Sequence, residues 1–401
     1  MQFTPESART VRDTADAVAA HADEITVAFY AAMFDAHPHL RDVFNRAHQA
    51  TGDQPKALAN SVVAFAVHLI DPSAADAAPI IRRIAHKHAS LGITARDYLI
   101  VARHLLAAIA RVLGDAASPS VLAAWDEVYW LFACTLIAEE ARLYALGGTD
   151  PEHPWRRYRV VERIEETSDA VSLLLAPTDG DVPAHRVGQY VSVAADLPDG
   201  GRQARQYTIS SGLRTDAIRI TVKRVRGRDG APDGEVSGWL HDTAVPGQEI
   251  DVSQPSGDLA LDSTDDPLVL VSAGIGITPI AAIVEDLSRR QPHRTVRLFH
   301  AERSHDAHAL YPSLRRQILS MTDARAQNWY SIGAESAPTL LPARPGRMDL
   351  ADAELPAGAR AFLCGPLPFM QEMRRTLIAR GIPAERIDYE VFGPDLWPAA
   401  G

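Results

Sequence analysis

The hydrophobic positions of this 401-residue chain change period twice, and each change marks a different kind of structure. Through the first 145 residues, Ala-rich segments carry apolar side chains three and four positions apart, the spacing of one helix face. They predict helices over roughly 5–20, 24–36, 55–70, 76–89, 95–113 and 118–145. Pro55 falls in a first helical turn, where its missing N–H costs nothing, and Thr94 with Asp97 three residues later forms a box-like helix start. Gly147-Gly148-Thr149-Asp150-Pro151 then reads as a linker. Beyond it, short segments at 156–164, 171–176, 189–194, 205–210 and 218–223 predict strands separated by turns such as Pro198-Asp199-Gly200-Gly201, the layout of a small antiparallel barrel. From Leu268 the texture changes again. A buried strand to Ser272, a helix-like run to Arg290, strands at 296–300 and 361–364 and a helix over 367–380 follow the βαβ rhythm of a parallel sheet. The expected fold class is therefore multidomain: an all-α domain over 1–147, an antiparallel β-barrel over 152–262 and an α/β parallel-sheet domain over 266–401.

Composition narrows the class. Hydrophobic residues at 46% and charged residues at 23% suit a compact globular protein. The longest apolar runs, 59–70 and 131–138, stop short of the ~20 residues of a membrane span, so none is expected. The start MQFTPESART shows no basic segment leading into an apolar one, and Cys134 and Cys364 are the only cysteines, so the reading is of a cytoplasmic, reduced protein. Forty basic against 51 acidic residues give a net charge of −11, an unfavourable field for nucleic acid, and no nucleic-acid partner is expected.

Fifteen histidines require a criterion for selection. Ile80, Ile84 and His88 lie four apart on one helix face, with Ile81 and Leu91 nearby, whereas His86 is turned about 200° away. On spacing alone His88 is a hydrogen-bonded core residue; an iron porphyrin in this segment would make it a ligand. Tyr30 and Phe34 share a helix face, Phe44 follows the His37-Pro38 break, and Gln54 and Leu58 fall together on the next helix.

The second half carries residues suited to nucleotides. Arg205-Gln206-Tyr207-Thr208 closes a strand with a guanidinium for phosphate, an aromatic ring for isoalloxazine and a hydroxyl for its polar edge. Gly188-Gln189-Tyr190 precedes it. Gly234-Glu235-Val236-Ser237 follows as a turn into a short helix whose N–H groups suit pyrophosphate. Gly274-Ile275-Gly276-Ile277-Thr278-Pro279 lies between a strand and a helix, where glycine permits close approach to a dinucleotide phosphate. Cys364-Gly365-Pro366 ends the last parallel strand and so falls at the carboxyl edge of the sheet, where ligands bind.

Together these segments resemble the flavohaemoglobins: a globin domain over nearly all of 1–145, followed by a ferredoxin reductase-like FAD and NAD(P)H module. The resemblance implies His88, within Ile84-Ala85-His86-Lys87-His88, as the proximal ligand of haem b iron, with Tyr98 and Glu140 as its partners. Helical phase leaves Glu139 and Glu140 equivalent; the family motif selects Glu140. The resemblance also implies a gas pocket of Tyr30, Phe44, Gln54 and Leu58. Thr208 stands where the family carries serine, and Pro55 after Gln54 departs from its pattern. Glu390 and Phe392, within Glu390-Val391-Phe392-Gly393-Pro394, match the closing segment that lies against FAD.

The implied activity is nitric oxide dioxygenation: NAD(P)H reduces FAD, FAD reduces haem, and O2 held at ferrous haem oxidises NO to nitrate. The implied state is a monomer needing no protein partner. Two other classes fit parts of the chain. One is a flavin-dependent reductase of quinones, ferric chelates or free flavins with an accessory globin; the other is a gas-binding sensor or store.

Overall fold

A computed structural model describes residues 3–44, 53–71, 73, 77–227, 232–259, 261, 264–334 and 340–392; for 53–57 and 59 it describes the backbone. The chain divides into two compact units, one formed by Met1–Trp155, Asp196–Arg205 and Pro394–Gly401, the other by Arg156–Ala195 and Gln206–Gly393.

The first unit is helical. Helices α1 (Pro5–Ala20), α2 (Ala22–Ala36), α3 (Asp53–Ile70), α4 (Ala78–Leu91), α5 (Ala95–Leu113) and α6 (Pro119–Gly147) follow the predicted periods closely, and a 3-10 turn at Pro38–Asp42 uses the His37-Pro38 break. Local chemistry sets their ends. The Thr94 N–H donates to Asp97 Oδ2 at 2.8 Å to open α5, and Ser118 accepts from the Val121 N–H at 3.3 Å to open α6 behind Pro119. Gly92 (φ 78°) and Gly148 (φ 61°) end α4 and α6 in the left-handed conformation that glycine adopts without a Cβ penalty.

Helix α6 is more apolar than the short runs in the sequence suggest. At 29 residues, with a mean hydropathy of 1.4 over its most apolar 18-residue window, it is long and apolar enough to cross a membrane. Its composition comes from its place in the core: half of that window is buried, and Trp125, Val128, Phe132, Ala133 and Leu136 pack at the centre of the helical cluster.

Beyond the helices the chain forms two six-stranded sheets. In the first, β1 (Trp155–Thr167), β2 (Ala170–Pro177), β3 (Tyr190–Asp196), β4 (Arg202–Thr208), β5 (Ile218–Lys223) and β6 (Glu249–Ser253) run in the order β4-β3-β6-β1-β2-β5. An antiparallel bridge from Ile209 to Ile220 joins the two edges and closes the sheet into a barrel. Strand β6 has no counterpart among the predicted strands; its five residues alternate charged and apolar too briefly to stand out. Helix α7 (Glu235–Thr243) follows β5.

The second sheet contains β7 (Leu268–Ala273), β8 (Val296–Glu302), β9 (Ala324–Tyr330), β10 (Ala343–Pro345), β11 (Arg360–Cys364) and β12 (Ile387–Glu390), in the order β10-β9-β8-β7-β11-β12. Helices α8 (Ile277–Arg290), α9 (Tyr311–Ser320) and α10 (Leu367–Ala379) connect them, and the strands between β7, β8, β9, β11 and β12 pair in parallel.

Two buried histidines pair beside this sheet, His300 on β8 and His308 in the segment that follows it. His300 Nδ1 is 2.9 Å from Ser272 Oγ, His308 Nδ1 is 2.9 Å from the Tyr330 hydroxyl, and the two rings lie 4.2 Å apart. Burial holds the His300 imidazole down to about 3 and His308 well below its usual range, so both are neutral when folded. An unfolded chain takes up protons at these residues from pH ~6.5 downward and the folded one does not. Their contribution to stability is therefore complete above that pH and lost as pH falls toward 3. Thermal unfolding of the second unit is expected to move to lower temperature between pH 7 and 5, with a shallower dependence in His300→Asn. An equal slope in the two proteins would contradict it.

Candidate functional site

In the helical unit the site forms where α4, α5 and α6 meet. His88 Nδ1 lies 2.8 Å from Glu140 Oε1 and 3.0 Å from the Tyr98 hydroxyl, and that hydroxyl donates to the same carboxylate oxygen at 2.5 Å. A carboxylate only accepts, so Nδ1 carries the proton and Nε2 keeps its lone pair for a metal. Glu140 is 2% exposed and its Oε2 has no hydrogen-bond partner. Burial, followed by the nearby Glu140 charge, pushes the Tyr98 hydroxyl far above its usual range, so it remains a donor. Further tyrosines brace the set from α6. Tyr129 donates to the Tyr98 carbonyl at 2.7 Å, and Tyr144 donates to the Ile93 carbonyl at 2.9 Å.

This geometry separates residues that helical phase leaves equivalent. Glu140 reaches His88, while Glu139 pairs with Arg142, its Oε2 accepting from Nε at 2.9 Å. The expectation that His86 turns away from the packed side fails. It is 6% exposed, and the side chain of His88 is 32% exposed. The buried residues of α4 are Ala85, His86, Ala89 and Ser90, one face that adjoins the Ile80–Ile84–His88 stripe, so the most apolar stripe is not the packed side. The bracing tyrosines escaped the sequence reading because a hydroxyl that reaches a backbone carbonyl leaves no spacing signal.

Tyr30 lies in a buried aromatic cluster. Its ring stacks on Phe34 at 5.6 Å and meets Phe44 edge-on at 5.6 Å, while Phe34 and Phe44 lie 5.4 Å apart. Leu58 packs against the same core. The Gln54 side chain, with that of Pro55, lies outside the described residues.

The other candidates fall at strand ends. Arg205, Gln206 and Tyr207 are half-buried and Thr208 is buried at the end of β4; Arg205 Nη1 donates to Gln203 Oε1 at 3.0 Å. Tyr190 opens β3 and exchanges two 2.8 Å backbone hydrogen bonds with Ser256. Its ring lies 3.2 Å from where a Cβ on Gly257 (φ 114°) would stand. Gly234 begins α7 with no side-chain cap. Val236 is fully buried. The Ser237 hydroxyl is used within the turn, accepting from the Val225 N–H at 3.1 Å and donating to the Gly234 carbonyl at 3.0 Å.

At the parallel sheet, Gly274 (φ 56°) and Gly276 form a single 3-10 turn between β7 and α8. The Thr278 hydroxyl donates to the Ile275 carbonyl at 3.0 Å, and Pro279 is buried. A Cβ on Gly276 would stand 2.4 Å from the Cys364 carbonyl oxygen and 2.8 Å from the Gly365 nitrogen. The glycine loop and the Cys364-Gly365-Pro366 turn are thus in backbone contact at the carboxyl edge of the sheet. Burial, with the charge of Glu390, holds the Cys364 thiol protonated. Glu390 pairs beside Cys364 in β12 and is half-buried; Phe392 is exposed at 48%, and Gly393 and Pro394 lie outside the described residues.

The fold and site thus define a class: a helical domain with a histidine prepared for a metal, joined to a two-sheet reductase module. A family model described as Globin matches residues 27–136, and one described as Oxidoreductase NAD-binding domain matches residues 270–375. The flavohemoprotein of Bordetella parapertussis is 39% identical over 98% of each chain. That of Rhizobium meliloti is 37% identical over 98% of this chain and 99% of its own. The flavohemoglobin of Malassezia yamatoensis, a structure with bound FAD and heme, superposes with a TM-score of 0.87 at 33% identity, over 98% of this chain and 100% of its own. The chain belongs to the flavohaemoprotein family, and it is an oxidoreductase.

Contact at Gly276 makes a specific demand. Gly276→Ala must push the loop away from Cys364, at a cost of about 1–3 kcal/mol. The variant is expected to melt at lower temperature and to need at least about tenfold more NADH for half-saturation of flavin reduction; wild-type values for both would contradict the close approach.

Proposed function

We propose that this chain is a cytoplasmic, monomeric nitric oxide dioxygenase. It would carry electrons from NAD(P)H through FAD to haem b and convert NO and O2 to nitrate. Overall, two NO, two O2 and one NAD(P)H yield two nitrate ions, NAD(P)+ and one proton. The observation that carries the reading is the His88–Glu140–Tyr98 set on a chain that also bears a reductase module.

The donor set suits haem, since the Nδ1 proton is committed and Nε2 remains. Bound FAD would convert hydride to single electrons, and bound haem would bring those electrons to O2. Glu140, accepting a hydrogen bond from Nδ1–H, makes His88 a more basic ligand and pushes electron density toward a metal, which would favour oxygen activation over storage. Tyr98 keeps Glu140 in place. Tyr30, with Gln54 as a second polar group, would donate a hydrogen bond to O2 as it takes on negative charge, and Phe44 and Leu58 would exclude water.

In the second half of the chain, Arg205 would neutralise a flavin phosphate. Tyr190 and Tyr207 would pack on the ring system, with Gln206 and Thr208 bonding its polar edge. The Gly234–Ser237 turn would take pyrophosphate on its N–H groups. The Gly274–Pro279 loop and the Cys364-Gly365-Pro366 turn would receive NAD(P)H, and Glu390 and Phe392 would close over the flavin. A gas sensor or store has no use for this second unit.

Mixing the oxygenated protein with NO is expected to yield nitrate in proportion to haem. His88→Ala is expected to lose haem and nitrate formation while keeping FAD and NADH-driven dye reduction. Absence of nitrate from the intact protein, with dye reduction retained, would contradict the proposal and favour a flavin-dependent reductase.

A further inference from the structure

Two irregular features of the reductase unit meet in one hydrogen bond. Strand β1 bulges between Glu165 and Thr167, where Glu165 pairs with Val171 and Thr167 with Ala170, leaving Glu166 out of register. Leu310, fully buried at the start of α9, is the one non-glycine residue with a positive φ (63°) among the described residues. The Leu310 N–H donates to Glu166 Oε2 at 3.0 Å, across 144 positions of sequence. A bulge re-aims a side chain, and a left-handed leucine costs about 1–2 kcal/mol, so this contact is held against the local preference of both backbones.

The other oxygen of Glu166 begins a buried ladder. Ser172 Oγ donates to Glu166 Oε1 at 2.6 Å, lies 2.9 Å from Thr221 Oγ1, and Thr221 lies 2.8 Å from Ser210 Oγ. All three hydroxyl residues are buried. Arg219 continues the chain, donating from Nε to Ser210 Oγ at 3.2 Å and from Nη2 to Glu285 Oε2 at 3.0 Å. Glu285 lies on α8, the helix that the Gly274–Gly276 turn opens. The barrel strands β1, β2 and β5 are therefore tied to the nucleotide lobe at both ends of one polar ladder. One tie is at α8; the other is at the segment leading from the carboxyl end of β8 into α9.

We propose that Glu166 and Glu285 are positioning residues for hydride transfer, latching the barrel to the lobe so that nicotinamide and flavin meet at reacting distance. The inference rests on the reductase reading of this unit. In that step NADH gives up a hydride and leaves as NAD+, and the flavin gains the hydride's two electrons and its proton. Neither carboxylate takes part in the bond changes. Their effect is on approach geometry, to which such transfers are steeply sensitive.

The test uses the full-length holoprotein with Glu166→Ala and, at the far end of the ladder, Glu285→Gln, each checked for wild-type FAD content. Anaerobic flavin reduction by saturating NADH is expected to slow by about tenfold or more in either variant, with half-saturation changed less than about threefold. With deuterated NADH, the isotope effect is expected to rise as the hydride step becomes more limiting. In Glu166→Ala, amide hydrogens in the peptide spanning 305–314 are expected to exchange about tenfold faster, the signature of a lost hydrogen bond of ordinary strength. Unchanged reduction rates with FAD retained, or slow reduction that only follows FAD loss, would overturn the proposal. Wild-type flavin reduced by neither NADH nor NADPH would instead refute the reductase reading on which it stands.

Discussion

A carboxylate placed inside a helical core is the constraint on which the haem-side account depends. Glu140 gives up almost all of its hydration, and an unpaired charge in that position would be expensive. Its offset comes from two donors on two other helices, His88 on α4 and Tyr98 on α5. Those bonds require α4 and α6 to approach closely, and Ala85, Ala89 and Ala133, all fully buried, are small enough to allow it. The packing of three helices and the orientation of one imidazole are thus one problem. Solving it leaves Nε2 as the nitrogen able to bind metal.

The reductase unit meets its own constraint with backbone. Gly276 and Cys364 touch across neighbouring strands β7 and β11, so the glycine loop sits at the carboxyl edge with no side chain between it and a ligand. Its two sheets are then joined by polar contacts at chosen points. Glu166, Ser172, Thr221, Ser210, Arg219 and Glu285 form a path in which every link is within hydrogen-bond distance. Satisfied networks of this kind favour one arrangement over its neighbours, because any slip leaves buried groups unpaired.

Periodic features were legible in the sequence and aperiodic ones were not. The six long helices show because their apolar faces repeat every three to four residues, and β7, β8 and β11 because they are largely apolar; β9 (Ala324–Tyr330), β10 (Ala343–Pro345) and β12 (Ile387–Glu390) mix polar and apolar residues and have no counterpart among the predicted strands. Five residues of β6 carry too short a pattern to be recognised. On α4 the periodicity separates His88 from His86 in the wrong sense, because the packed face, Ala85, His86, Ala89 and Ser90, lies beside the apolar stripe rather than on it. Glu139 and Glu140 differ by one position on a helix core-packed along its length, so only the partner across the gap distinguishes them. The latch at Glu166 depends on a bulge, and Leu310 on a left-handed backbone; neither residue type signals such a conformation.

The most direct test of the central claim is the haem midpoint potential, measured in the holoprotein and in Glu140→Gln by spectroelectrochemistry at neutral pH. If Glu140 makes His88 electron-rich, its loss disfavours the ferric form, and the potential is expected to rise by about 60 mV or more, a tenfold change for one electron. An unchanged potential, with haem still bound through His88, would contradict the account.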